Sequence, residues 1–264
     1  MTYKTNLATF AQRLAGREPL VGTFLKTPSP HVCEVLGMTE LAACCIDAEH
    51  APFGRYETDQ CISQLRHADM PSLVRVADDS SAEIRNALDA GATGILVPHV
   101  VDAEQAAEIV KLAHFGDQGS GYAGSTRAAG FTTKAMPDHL ADSSSQTTIV
   151  LQIEDLEALE NLETIAAVAG VHCLFVGRVD LAVAMGTTVN DARVVDAVKE
   201  VCRVGQAAGR AVGMFTPNLA EIGEWRSLGA SFFLLNYDQG FLLQGANALV
   251  SPFNETYPET SELR

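Results

Sequence analysis

Eight short apolar runs, separated by segments of helical periodicity, constrain this chain more than any other feature. They are Leu20–Leu25, Leu41–Ile46, Ser72–Val76, Gly94–Val97, Ile149–Ile153, Cys173–Val176, Ala211–Phe215 and Phe232–Leu235. Continuous apolar runs suit parallel strands covered on both faces. Between them, apolar residues recur at helical spacing, as Ile84 and Leu88 do within Ser81–Ala90. Glycine punctuates the joints, as in Ala90-Gly91-Ala92 and Leu228-Gly229-Ala230, where the residue after a helix favours it. Eight strands alternating with helices predict a (β/α)8 TIM barrel. The 264 residues fill one such domain with little left over. A doubly wound α/β sheet is the alternative, but Phe24-Leu25-Lys26-Thr27-Pro28 is not a Gly-rich phosphate loop.

Charge narrows the partners. The formal net charge is -15, and a surface this acidic repels phosphate backbones and anionic lipid headgroups. Nucleic acid and membrane surfaces are therefore not expected partners. An anionic substrate needs local positive charge, from a metal or an arginine. No apolar run approaches the roughly 20 residues of a membrane span. The stretch from Met1 to Arg17 is helix-like and lacks the apolar core of a signal peptide. The six cysteines, Cys33, Cys44, Cys45, Cys61, Cys173 and Cys202, form no CxxC pair. They read as buried, reduced thiols of a cytoplasmic protein. The longest non-strand stretch, Phe115 to Gln146, is rich in Gly, Ser, Thr and Ala and is expected to contribute to a lid.

Barrel enzymes carry their chemistry at the C-terminal ends of the strands. Strand two is followed by Asp47, Glu49 and His50, and strand three ends at Arg75. Strand four ends at His99, strand five at Gln152 and Glu154, and strand six at Arg178 and Asp180. Glu154 and Asp180 are the candidate metal ligands, because two carboxylates at one mouth repel unless a cation or proton lies between them. An all-oxygen set favours Mg²⁺, Mn²⁺ or Co²⁺. That both carboxylates cap helices, or pair with Arg178 and Arg127, is the bland alternative. His50 is the candidate base, with Asp47 placed to orient its ring. Arg75 can bind an oxyanion or form a salt bridge to Asp47, Glu49 or Asp89. His31, His99 and His139 read as structural. Lys26, after strand one, is the one candidate for a Schiff base.

Five ordered segments resemble the HpcH/HpaI aldolases, the 4-hydroxy-2-oxoheptanedioate aldolase group. They are Ile46-Asp47-Ala48-Glu49-His50-Ala51-Pro52, Val74-Arg75, Leu88-Asp89-Ala90-Gly91-Ala92, Leu151-Gln152-Ile153-Glu154 and Phe175-Val176-Gly177-Arg178-Val179-Asp180-Leu181. The resemblance implies a barrel of the phosphoenolpyruvate/pyruvate type. It implies a divalent metal on Glu154 and Asp180, His50 as base paired with Asp47, and Arg75 on the oxo group of the substrate. It implies Gln152 beside bound pyruvate, and backbone amides from Gly177 through Arg178 and Val179 on its carboxylate. It further implies a hexamer, a trimer of dimers. There 238–250 forms a C-terminal helix packing on a neighbour, and Asp89 reaches a neighbour's site; the polar, Pro-containing composition of 251–264 is read separately as a mobile tail. The chain departs from the pattern at Arg178-Val179, at Gln118, where many members carry arginine, and at Phe24, where tryptophan is frequent. Arg127 is then expected to serve the distal part of the substrate.

The expected activity is reversible aldol cleavage of a 4-hydroxy-2-oxo acid to an aldehyde and pyruvate or hydroxypyruvate. Enolate chemistry like that of macrophomate synthase, which decarboxylates oxaloacetate, is the alternative at the same site. A barrel that binds without catalysing is the non-enzymatic alternative.

Overall fold

The computed structural model describes residues 5–116 and 119–256. Gln118, one of the departures noted above, lies outside them, as do 257–264. Eight parallel strands close into a barrel in sequence order: β1 Leu20–Leu25, β2 Ala43–Asp47, β3 Ser72–Arg75, β4 Gly94–Val97, β5 Thr148–Ile153, β6 Cys173–Val176, β7 Ala211–Thr216 and β8 Phe232–Tyr237. All eight expected runs are strands, with ends that move by at most two residues.

The period-two alternation of a strand sorts these residues into two cores. Inward-facing Leu20, Phe24, Cys45, Leu73, Leu96, Val150, Cys173, Phe175, Phe232 and Leu234 fill the barrel interior. Their outward-facing neighbours, among them Cys44, Ile46, Val74 and Leu151, pack against the helices. Cys44 and Cys45 thus point into different cores, and all six cysteines are buried and unpaired.

The same alternation aims chemistry at the mouth. Two residues beyond Cys45 lies Asp47, and two beyond Leu73 lies Arg75. Register sets Cys45 opposite Leu73 and Asp47 opposite Arg75. On β5 the inward series continues from Val150 to Gln152, which register sets opposite Phe175 on β6. The N-terminal end of the barrel is closed by the helix Thr5–Ala15. Its Phe10 and Leu14 are fully buried in the interior core, and the Phe10 ring meets Phe232 edge-on at 6.1 Å.

Two expectations change. The Gly-rich stretch from Phe115 does not cover the mouth, because the helix Ala103–Leu112 has already returned the chain to the N-terminal end of the barrel. There Phe115, Lys134 and His139 line a cleft with Thr93, which immediately precedes β4. The stretch closes with a helix, Met136–Gln146. The C-terminal helix runs Asp238–Thr256, past the expected end at 250, with Pro252 inside it. Its Leu242, Leu243, Leu249 and Phe253 are exposed. Among the described residues no helix is long and apolar enough to cross a membrane.

Phe10 fills the foot of the interior core from a helix that contributes nothing to the mouth. Phe10→Ala should therefore lower the unfolding free energy by about 3–5 kcal/mol while the mouth keeps its geometry. Chemical denaturation checks the first point and ligand binding the second.

Candidate active site

The mouth of the barrel is organised by Asp47, whose side chain is 1% exposed. Its Oδ1 accepts from Arg75 Nε at 3.0 Å and from the His50 backbone N–H at 3.1 Å. Its Oδ2 lies 2.8 Å from Arg75 Nη2 and 3.0 Å from Lys26 Nζ. Burial alone would raise the Asp47 pKa. The Arg75 guanidinium, the His50 N–H and Lys26 outweigh it and hold the carboxylate below its ordinary value. Asp47 therefore holds the backbone at His50. The ring faces Glu49, with His50 Nε2 3.5 Å from Glu49 Oε2.

Arg75 is buried at the base of the pocket. It lies 3.3 Å from Glu49 Oε2, and its guanidinium sits 4.7 Å above the Phe24 ring. Of its expected salt-bridge partners, Asp47 and Glu49 are in place and Asp89 is not. Phe24, Phe175 and Phe215 make an aromatic wall beside it. Lys26 also lines the pocket.

Glu154 is 3% exposed. One carboxylate oxygen accepts the His99 N–H at 2.9 Å, and the other accepts from the Gln152 side-chain amide. Burial raises its pKa, and the charge of Asp180 adds to the rise. Asp180, in the first turn of the helix Arg178–Ala184, forms no hydrogen bond or ion pair with the described residues. Arg178 does not neutralise this pair. Its Nη1 binds Glu221 Oε2 at 2.6 Å, and its guanidinium lies 4.8 Å over the Trp225 ring. Among the described residues, no lysine or arginine pairs with Glu154 or Asp180.

Gly177 is less a donor than a space. Its N–H already binds Ile153 O at 2.9 Å, so of the amides the resemblance implies, those of Arg178 and Val179 remain, in the open first turn of the helix. A Cβ on Gly177 would come within 2.5 Å of Glu154 Cβ and 2.6 Å of its Oε2.

Arg127 does not reach the mouth of its own chain. It binds Asp59 at 2.7 Å and Ser63 at 3.2 Å on the helix Arg55–His67. The stretch that carries it lies at the far end of its own barrel. Asp89 is at that end too, in the cleft with Arg66 and Lys134, and burial raises its pKa.

Sequence reasoning gave no chemical role to His99, Asp155 or Glu49. His99 Nδ1 lies 3.0 Å from Asp155 Oδ2 and 3.5 Å from Glu154 Oε1. His99, Glu154 and Asp155 thus form a second setting that could hold a metal ion. Glu49 stands between the two histidines, 3.7 Å from His99 Nε2. The strand-end rule did mark His99. Its partners come from the next strand, and no spacing in the sequence shows that.

Comparison with known proteins agrees with this geometry. The family model described as HpcH/HpaI aldolase/citrate lyase matches residues 20–244. A hydroxypyruvate/pyruvate aldolase of Deinococcus radiodurans is 30% identical over 256 residues, covering 96% of this chain and 92% of the relative. A 5-keto-4-deoxy-D-glucarate aldolase of Salmonella arizonae is 30% identical over 249 residues, covering 93% of this chain and 96% of the relative. The crystal structure of an HpcH/HpaI aldolase/citrate lyase family protein from Burkholderia cenocepacia superposes with a TM-score of 0.88 at 32% identity, covering 94% of this chain and 99% of that one. A closed barrel, a match running from β1 to the C-terminal helix, and relatives similar over nearly their whole length together assign the chain to the HpcH/HpaI aldolase/citrate lyase family.

Proposed function

We propose that this chain is a divalent-metal-dependent aldolase that cleaves 4-hydroxy-2-oxo acids reversibly into an aldehyde and pyruvate or hydroxypyruvate. The observation that carries the proposal is the pair Glu154 and Asp180. Glu154 is buried, the charge of Asp180 acts on it, and neither has a lysine or arginine partner among the described residues. That is the donor set of a hard divalent ion. A Mg²⁺, Mn²⁺ or Co²⁺ ion would be held by Glu154 and Asp180 and would supply Lewis acidity to a bound 2-oxo acid.

The protein's own groups do the rest. The amides of Arg178 and Val179, at the start of their helix, receive the substrate carboxylate. The Gln152 amide group, fixed against Glu154, lies beside it. Arg75, held on two sides by Asp47, donates to the oxo oxygen and stabilises the negative charge that develops there. Phe24 and Phe215 give the C3 carbon an apolar wall. His50 takes the proton of the 4-hydroxyl as the C3–C4 bond breaks, releasing aldehyde and the enolate of the 2-oxo acid. In the synthetic direction the enolate attacks the aldehyde and His50 returns the proton. Lys26 is held by Asp47 at 3.0 Å, so a Schiff base there would cost the mouth its second cation.

The same reading makes the exposed apolar face of the helix Asp238–Thr256 a surface for subunit association. It assigns Asp89, at the far end of its own barrel, to a neighbour's mouth. The proposed working form is the hexamer.

Pyruvate release from a racemic 4-hydroxy-2-oxo acid, coupled to lactate dehydrogenase, tests the chemistry. Activity should vanish with EDTA and return with Mg²⁺, Mn²⁺ or Co²⁺. Activity that survives EDTA and dies on borohydride treatment with substrate would move the mechanism to Lys26. Gly177→Ala tests the metal position separately. Crowding of the Glu154 carboxylate should weaken Mn²⁺ binding by about 10- to 100-fold, read by calorimetry, with the circular dichroism of the barrel unchanged. Wild-type Mn²⁺ affinity in that variant would remove Glu154 from the ligand set.

A further inference from the structure

Glu154 reaches the mouth from a buried position, and its aim is set by what its two oxygens accept. Oε2 accepts from the Gln152 side-chain amide, on the end of its own strand. Oε1 accepts the backbone N–H of His99 at 2.9 Å, which comes from the chain just beyond β4.

That N–H faces Oε1 because the chain takes an unusual course at His99. Its φ is +55°, in the left-handed region that residues with a Cβ rarely occupy. Such a conformation persists where the surroundings fix it, and here they do on each side. The His99 carbonyl accepts from Gln105 Nε2 at 3.1 Å, and Oε1 of the same Gln105 accepts the Val101 N–H at 2.8 Å. The Val100 N–H is bound to Gln152 O on β5 at 3.4 Å. The His99 ring is turned to Asp155, with Nδ1 3.0 Å from Oδ2. From Glu154 Oε1 the same Nδ1 stands 3.5 Å away, longer than a formed hydrogen bond.

We infer that His99 is a positioning residue for Glu154, and that its left-handed backbone, not its imidazole, aims the carboxylate. The inference rests on the reading of Glu154 as a metal ligand. A carboxylate oxygen that accepts one N–H keeps a lone pair for a cation. A donor outside the ligand set then decides where that lone pair points. The imidazole, 60% exposed and already facing Asp155, serves the course of the chain and not the ion. The cluster of His99, Glu154 and Asp155 is on this account a strap between the ends of β4 and β5. Gln105, on the helix Ala103–Leu112, fastens the strap from behind.

Backbone preference and ring chemistry separate in a substitution series. His99→Gly and His99→Asn remove the imidazole but tolerate a positive φ. Both should keep most of the Mn²⁺ affinity of the unsubstituted protein, read by calorimetry. His99→Val, whose branched side chain resists that conformation, should bind Mn²⁺ about 10- to 100-fold more weakly, with the circular dichroism of the barrel unchanged. Gln105→Leu releases the His99 carbonyl without touching residue 99. It should weaken Mn²⁺ binding in the same direction, and it carries the test where the His99→Val chain does not fold. Equal losses in His99→Gly and His99→Val would make the ring a ligand and overturn the inference. Unchanged affinity in both His99→Val and Gln105→Leu would overturn it too. A crystal structure of metal-free His99→Val, or of Gln105→Leu in its place, gives a readout that needs no metal. There the Glu154 carboxylate should have turned from its present orientation, and an unmoved carboxylate would refute the role. Glu154→Gln judges the ligand reading by itself, since full Mn²⁺ affinity in that variant would remove Glu154 from the metal and leave the crystal structure to decide what His99 does.

Discussion

The mouth of this barrel hangs on one buried carboxylate. Asp47 draws together Lys26 just after β1, Arg75 at the end of β3, and the loop after its own strand β2. A lone ionised carboxylate at 1% exposure would be unstable, and here two cations and a backbone N–H compensate it. The compensation works both ways. Arg75 is itself nearly buried, and without Asp47 its guanidinium would have no fixed orientation at the mouth. Removing either partner would leave the other as an unpaired buried charge. The interaction is thus a geometric constraint on the site before it is a source of stability.

The barrel was legible because its signal repeats. Eight apolar runs at regular spacing admit few other folds, and alternation within each run fixed which side chains face inward. Once Cys45 and Leu73 lie in the interior core, Asp47 and Arg75 must point the same way, two residues further toward the mouth. The positions of Gln152 and Phe175 follow from the same arithmetic. What the alternation does not govern is the loop beyond a strand end. There the turn brings Asp47 to the His50 backbone and Glu49 beside the ring, which the spacing Asp-x-x-His does not show. Arg127 escaped for a similar reason. Its neighbours in sequence are small and polar, and its position follows from the helix Ala103–Leu112 carrying the chain to the far end of the barrel. The pairing of His99 with Asp155 joins two strand ends through tertiary contact alone.

Charge connects the site to the whole molecule. A chain with a formal charge of -15 surrounds its mouth with a field that opposes entry of an anionic oxo acid. The site does not answer with an excess of basic side chains. Lys26 and Arg75 are engaged by Asp47, with Glu49 beside Arg75, and Arg178 is balanced by Glu221. Glu154 feels the charge of Asp180, and neither has a lysine or arginine partner among the described residues. On the proposed function, a divalent ion at that pair would offset its charge, and Arg75 and the amides at the start of the helix Arg178–Ala184 would select the substrate by geometry instead of by bulk attraction. Entry of metal and binding of substrate would then be linked, and the acidic surface would favour the first as much as it hinders the second.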